Sequence, residues 1–202
     1  MIGLKKIEPL LLKKAVEILK NGGVVVFPTE TAYGLAADAT NIEAIRRVSE
    51  IKDRVPVKTF PLIAANQKMV EKYAVLSSLM KSLVKDNWPG ALTVVVPARP
   101  GCLKEFALIR SGTLAVRVSS HPVASELSRR LGRPVISTSA NLSGQSTCYS
   151  VRAVKKQLAG RKILPDFYLD IGRLPHSRLS TIVEEQNGRI VVLRQGTIRL
   201  HP

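Results

Sequence analysis

The strongest constraint on this chain is an alternation of two patterns along its length. Short apolar runs rich in β-branched residues are separated by segments in which apolar residues recur every three or four positions. The first pattern reads as buried strands and the second as amphipathic helices, and their alternation predicts an α/β domain. Gly23 to Phe27, Phe60 to Ala65, Ala91 to Pro97, Thr113 to Val118, Pro134 to Ser137, Phe167 to Ile171 and Thr181 to Val183 read as strands. Helices are expected from Pro9 to the Asn21-Gly22 stop, at Ile42 to Ile51 behind Asn41 as N-cap, and near Gln67 to Val75, Ser78 to Lys85, Val123 to Leu131 and Val151 to Leu158. Pro28 to Asn41 reads as a small-residue loop. Asn187-Gly188 predicts a closing hairpin into Arg189 to Leu193, so the sheet is expected to be mixed rather than purely parallel.

With 202 residues and no internal repeat or low-complexity linker, the chain is read as one domain over residues 1–202. The longest apolar runs are far below the roughly 18 residues of a spanning helix, and no signal-peptide pattern opens the chain, so the cytoplasm is the expected compartment. Cys102 and Cys148 stand apart from each other and from His121, His176 and His201; neither a zinc spacing nor a disulfide framework can be read.

Charge narrows the partners. The chain has 31 Lys and Arg against 15 Asp and Glu, a formal net charge of +16. The excess is carried by both halves and by no basic tail, which points to a folded basic surface or cavity facing polyanions. Aromatic residues make up only 4%, too few for an array of base-stacking platforms. The P-loop and the dinucleotide-binding glycine motif are both absent, so a phosphate site has to be built another way.

Four polar clusters are read as sitting at the ends of predicted strands, the usual place for ligand sites in open α/β sheets. Pro28-Thr29-Glu30-Thr31-Ala32-Tyr33-Gly34-Leu35 offers hydroxyls and a carboxylate for a small polar ligand; taken alone it is equally a polar turn. Lys52-Asp53-Arg54 with Lys58 gathers three cations suited to a triphosphate, although a lysine at a helix C-terminus is also an ordinary dipole partner. Arg117 interrupts the apolar Thr113 to Val118 strand, so it either reaches water or faces an anion such as a carboxylate. Ser137-Thr138-Ser139-Ala140-Asn141-Leu142-Ser143-Gly144 supplies neutral hydrogen-bonding groups and could equally be a capping loop.

These clusters, together with Trp88 to Thr93, Leu114 to Val118, Ser180 to Val183 and Leu193 to Gly196, resemble the ordered motifs of the YrdC family of threonylcarbamoyl-AMP synthases over nearly the whole chain. The resemblance implies a single-domain twisted mixed β-sheet with helices and a large basic concave cavity. It implies that Thr31, Arg117, Ser137 and Ser180 contact threonine and that Arg54, Lys58, Thr113, Ser139, Thr147 and Arg194 contact ATP. Lys52, Asn141, Glu30 and Tyr33 match further motif positions. The chain departs from the family pattern where Pro56 follows Val55 instead of following the motif arginine directly, and where Thr59 stands after Lys58.

The implied reaction joins L-threonine, bicarbonate or CO2, and ATP into threonylcarbamoyl-adenylate and pyrophosphate, for threonylcarbamoyl modification of tRNA. Magnesium is expected on the nucleotide, with no dedicated protein metal site. Expected partners are the three substrates, a tRNA or other RNA surface, and a separate transferase complex. Two other readings are a noncatalytic RNA-binding module and a paralogue of the same fold acting on another carbamoyl-type substrate. The intact Lys52-Asp53-Arg54 and Ser139-Ala140-Asn141 favour the synthase.

Overall fold

The computed structural model of the chain describes residues 8–53, 60–100 and 112–200. In chain order the elements are α1 (Pro9–Lys20), β1 (Val25–Pro28), β2 (Tyr33–Ala36), α2 (Ile42–Ile51), β3 (Leu62–Ala64), α3 (Gln67–Tyr73), α4 (Ser78–Asn87), β4 (Leu92–Pro97), β5 (Thr113–Val118), α5 (Pro122–Leu131), β6 (Val135–Ile136), β7 (Thr138–Ser139), α6 (Val151–Leu158), β8 (Phe167–Tyr168), β9 (Thr181–Gln186) and β10 (Arg189–Arg194). The strands form two mixed sheets where the sequence predicted one. One has the order β7-β2-β1-β8 and the other β10-β9-β4-β5-β3-β6.

Strand β1 shows why the runs are continuously apolar. Val25 and Phe27 point into a cluster with Leu12, Leu19, Val123 and Leu127 from α1 and α5. Val24 and Val26 point the other way, into a larger core with Leu92, Val94 and Val183. A strand covered on both faces has no position left for a polar side chain. Filling each face is worth ~1.5–3 kcal/mol per large apolar side chain. Helix α2 begins behind the expected cap, and two serines cap other helices. Asn41 accepts from Glu43 N and Ala44 N at the start of α2, and Ser77 and Ser150 accept from Met80 N and Ala153 N at the starts of α4 and α6.

Two short strands were not expected. The Pro28 to Asn41 loop contains β2, antiparallel to β1, and the serine-rich run contains β7, paired with β2 through Gly34↔Ser139 and Leu35↔Thr138. They are only four and two residues long and include Gly34, Ala36 and Ser139, so Tyr33, Leu35 and Thr138 alone make too short a strand signal. Tertiary packing decides instead: a Cβ on Gly34 would lie 2.9 Å from the Phe27 ring and 3.2 Å from the Thr138 carbonyl oxygen. Only glycine lets β1, β2 and β7 approach this closely, and that approach lays the first polar cluster beside the fourth.

The larger sheet supplies the other wall. Along β5, Leu114 and Val116 are buried while Thr113 and Ala115 are half-exposed, and Arg117 shares their face by the two-residue period. Strand β4 runs antiparallel to β5 with Val95↔Ala115 and Pro97↔Thr113, and β9 runs parallel to β4 with Thr93↔Ile182. Thr93, Ala115, Arg117 and Ile182 therefore share one face of the sheet.

Candidate active site

Between the two sheets lies a cleft of about 530 Å³ including its open mouth. The β1–β2 turn contributes Thr29, Thr31 and Tyr33, and the β6–β7 segment contributes Ser137 and Ser139. Arg117 comes from β5, Thr93 from β4, and Ser180 and Arg194 from the last hairpin. All four residues expected to meet threonine thus line one cavity. Of those expected to meet ATP, Ser139 and Arg194 line it as well.

The turn is fixed by Thr29, whose Oγ1 accepts from Ala32 N (3.1 Å) and donates to the Ala32 carbonyl (2.7 Å). Glu30 projects from this turn, and both of its oxygens are engaged: Arg117 Nη1 donates to Oε1 and Ser119 Oγ to Oε2. Arg117 is 6% exposed, so it does not reach water; it is paired inside the protein. Burial pulls its guanidinium below the ordinary value and the Glu30 charge works against that pull. One carboxylate occupies only part of the five-donor fork, so Arg117 can hold a second carboxylate from the cleft.

Arg194 is built differently. Its Nε and Nη2 donate to the Ser180 carbonyl (3.1 and 2.8 Å), and Nη2 also donates to Ser180 Oγ (3.0 Å). Its guanidinium is lowered from the ordinary value, first by burial and then by the Arg117 charge. Gly196 makes this approach possible: a Cβ there would lie 2.1 Å from the Leu179 carbonyl oxygen. Thr93 Oγ1 donates to the same Ser180 Oγ at 2.9 Å.

Lys52, expected as one of the cations for a triphosphate, turns inward to backbone carbonyls. It is 4% exposed, and its Nζ donates to the Ser139 carbonyl (2.6 Å) and the Asn141 carbonyl (2.8 Å), with Asn141 Oδ1 at 3.4 Å. The ammonium thus holds the serine-rich segment from behind. Asn141 completes the loop by donating from Nδ2 to the Gln145 carbonyl at 2.6 Å. Asp53 turns the chain away at φ 52° and pairs with Arg161. Arg54 and Lys58 lie outside the described residues.

Tyr33 serves structure as well as lining. Its hydroxyl donates to the Gly172 carbonyl (2.8 Å) and accepts from Ile171 N (3.0 Å), which pins the segment after β8 to β2. Burial is the main reason its phenol is pushed up to about 12. Thr113 and Thr147 are not among the cleft-lining residues. Thr113 lies four residues from Arg117 on the half-open face, about 13 Å along the strand. Thr147 precedes Cys148, whose carbonyl accepts from Tyr33 N at 3.1 Å. Sequence reasoning missed Thr93, Ser119 and Gly196 as site residues. Thr93 and Gly196 end motifs already noted, and Ser119 follows the buried arginine by two positions, the only signals available. Among the described residues no group of three or more His, Cys, Asp or Glu could hold a metal ion, and no helix is long and apolar enough to cross a membrane.

The family model for the Sua5/YciO/YrdC domain, described as telomere recombination, matches residues 17–196. The chain belongs to this family. Among its Sua5/YciO/YrdC relatives, a putative threonylcarbamoyl-AMP synthase of Methanocaldococcus jannaschii is 32% identical over 190 residues, covering 92% of this chain and 87% of the relative. The threonylcarbamoyl-AMP synthase of Vibrio vulnificus YJ016 is 39% identical over 190 residues, 92% of this chain and 98% of the relative. The crystal structure of P. abyssi Sua5 complexed with L-threonine matches with a TM-score of 0.83 and 30% identity. That match covers 92% of this chain and 54% of the P. abyssi chain, so the present chain spans about half of that protein. E. coli YciO matches with a TM-score of 0.81 and 27% identity over 94% of this chain and 90% of its own.

Proposed function

We propose that this chain is a threonylcarbamoyl-AMP synthase acting on L-threonine, bicarbonate or CO2, and ATP, in the pathway of tRNA threonylcarbamoylation. The observation that supports it most is the meeting of Thr31, Arg117, Ser137 and Ser180 in one cleft. An amino-acid carboxylate with a side-chain hydroxyl calls for a guanidinium and neutral hydroxyls, and the cleft has both. Related chains carrying the synthase name and a relative in complex with L-threonine point the same way.

In this reading Arg117 takes the threonine carboxylate with the donors that Glu30 leaves over, and Glu30, held by Arg117 and Ser119 behind the cleft wall, balances the guanidinium charge. The amine loses a proton to solvent and attacks the one-carbon substrate; from bicarbonate this forms the carbamate and releases water. A carbamate oxygen then attacks the α-phosphorus of ATP and pyrophosphate leaves. The nucleotide lies from Ser139 and Arg194 along the half-open face towards Thr113, with Thr147, Arg54 and Lys58 as its further contacts. The side chains act by holding the reactants in line and by placing cations where charge builds on phosphate. Magnesium arrives on the ATP phosphates. Asn141 and Lys52 act by shaping the segment that carries Ser137 and Ser139.

The +16 charge exceeds what one triphosphate requires, which favours an additional RNA-binding surface on the cleft rim. Handing the product to a separate transferase complex completes the pathway. The whole chain, residues 1–202, acts as a single catalytic domain in the cytoplasm. Release of pyrophosphate from ATP tests the reading: it should require threonine and bicarbonate together. Release that needs neither, or release with another amino acid but none with threonine, contradicts it.

A further inference from the structure

Hydrogen-bond accounting at Ser180 goes a step further. A serine hydroxyl has one proton to give and two lone pairs to receive. Both lone pairs of Ser180 Oγ are taken, one by Thr93 Oγ1 at 2.9 Å and one by Arg194 Nη2 at 3.0 Å. Its proton has no acceptor among the described residues, and the hydroxyl belongs to a residue that is 8% exposed and lines the cleft. A hydroxyl locked in this way can only donate, and its residue lines the cavity. A buried donor without an acceptor is costly, so the arrangement calls for an oxygen from a ligand.

Local charge indicates which oxygen. Arg117 is partly neutralised by Glu30, whereas the bonds of Arg194 go to the neutral oxygens of Ser180. The two guanidiniums are close enough for the Arg117 charge to act on Arg194. With one carboxylate between them the pair carries a net +1, and a threonine zwitterion bound at Arg117 leaves that excess in place. A small oxyanion beside Ser180 and Arg194 offsets it at the end of the cleft where the nucleotide begins, and the locked Ser180 donor is what singles out that position.

We propose that Ser180 Oγ and Arg194 form the subsite for the one-carbon substrate, holding an oxygen of bicarbonate and then of the carbamate, and that Thr93 is the positioning residue that fixes the Ser180 hydroxyl as a donor. The inference rests on the synthase reading and adds to it a site and a residue. It leaves Ser180 in contact with the threonine-derived group, because after condensation the carbamate is attached to the threonine nitrogen. Thr93 is 1% exposed, and its hydroxyl is committed to Ser180 Oγ.

The test compares Thr93→Val, which keeps the shape and removes the donor, with Thr93→Ser, which restores the donor. Two measurements are made on the full chain. One is the bicarbonate-dependent rise in melting temperature with threonine present, which reports binding without turnover. The other is the KM for bicarbonate alongside those for threonine and ATP. Thr93→Val should abolish the bicarbonate-dependent rise and increase the bicarbonate KM by about tenfold or more, the scale of a lost hydrogen bond to a charged group. The threonine dissociation constant, measured without bicarbonate, should change several-fold less than the bicarbonate KM, and Thr93→Ser should behave as wild type. A Thr93→Val enzyme with wild-type bicarbonate behaviour overturns the proposal, as does one whose loss falls on threonine as heavily as on bicarbonate, which would assign the Ser180 proton to the amino acid. If the wild-type chain binds bicarbonate in a Thr93-dependent way but forms no adenylate, the subsite stands and the synthase reading fails. If it forms adenylate while the variant handles bicarbonate normally, the reverse holds.

Discussion

Replacing Arg117 should damage stability and threonine binding by separable amounts. The Arg117 side chain is 7% exposed and its partner Glu30 is 16% exposed, so Arg117→Met strands a nearly buried carboxylate. Breaking a buried pair from one side costs ~3–5 kcal/mol, and the bond from Ser119 to Glu30 places this case near the lower end. For a chain of this size that is a fall of about 6–12 °C in melting temperature. The same change removes the charge-assisted bonds to the substrate carboxylate, worth ~1.5–3 kcal/mol, so the threonine dissociation constant should rise by about tenfold to 150-fold. Arg117→Met combined with Glu30→Gln removes the stranded charge as well. The double variant should recover most of the lost melting temperature and none of the lost threonine affinity. Calorimetric titration with threonine and with ATP, beside thermal melts of the three proteins, reads every quantity. The reasoning is refuted if Arg117→Met binds threonine as wild type does, if ATP affinity falls as far as threonine affinity, or if the double variant regains both stability and threonine binding.

Lys52→Met should weaken threonine and ATP together and lower the melting temperature by about 2–12 °C, because the Ser139 and Asn141 carbonyls lose their buried donor; a loss confined to ATP would restore the point-charge reading. Arg54→Ala should raise the ATP requirement and slow adenylate formation at unchanged melting temperature, and a wild-type rate across a full ATP titration would remove Arg54 from the nucleotide site. Glu126 is held at about 2, first by the hydrogen bond from Arg129, against an ordinary 4.5. Because its folded value is the lower one, its contribution is present above about pH 4.5 and lost as pH falls towards 2. Melts of Glu126→Gln should therefore lie ~1–4 °C below wild type at pH 7 and converge with it at the acid end, and a gap that persists there would assign the effect to packing. Binding of tRNA and of an unrelated RNA duplex should agree within about tenfold and weaken steeply with salt; a salt-independent signal, or no binding at low salt, would rule out the RNA surface.

The helices and the long strands were legible because each satisfies a local rule. Asn41 before Ile42 and Pro9 in the first turn of α1 mark helix starts, and Asn187-Gly188 marks the final hairpin. Strands β2 and β7 were hidden because Gly34 and Ser139 are suited to a strand only by what lies against them. The cleft residues could be named from motifs, but their partners could not. Nothing in the sequence around Arg117 says that Glu30, 87 residues away, neutralises it, or that Lys52 turns inward to the carbonyls of residues 139 and 141. Thr93 was invisible as a site residue for the same reason: its hydrogen bond goes to Ser180, 87 residues away and just before β9.

The central claim is most directly tested by the identity of the product. The purified chain is incubated with ATP, magnesium, L-threonine and ¹³C-labelled bicarbonate, and the nucleotides are read at once by mass spectrometry. The account predicts an adenylate with the mass of AMP joined to threonylcarbamate, heavier by one mass unit for the labelled carbon and absent when threonine is left out. An adenylate without the labelled carbon, or pyrophosphate release with no threonine-containing adenylate, would contradict it.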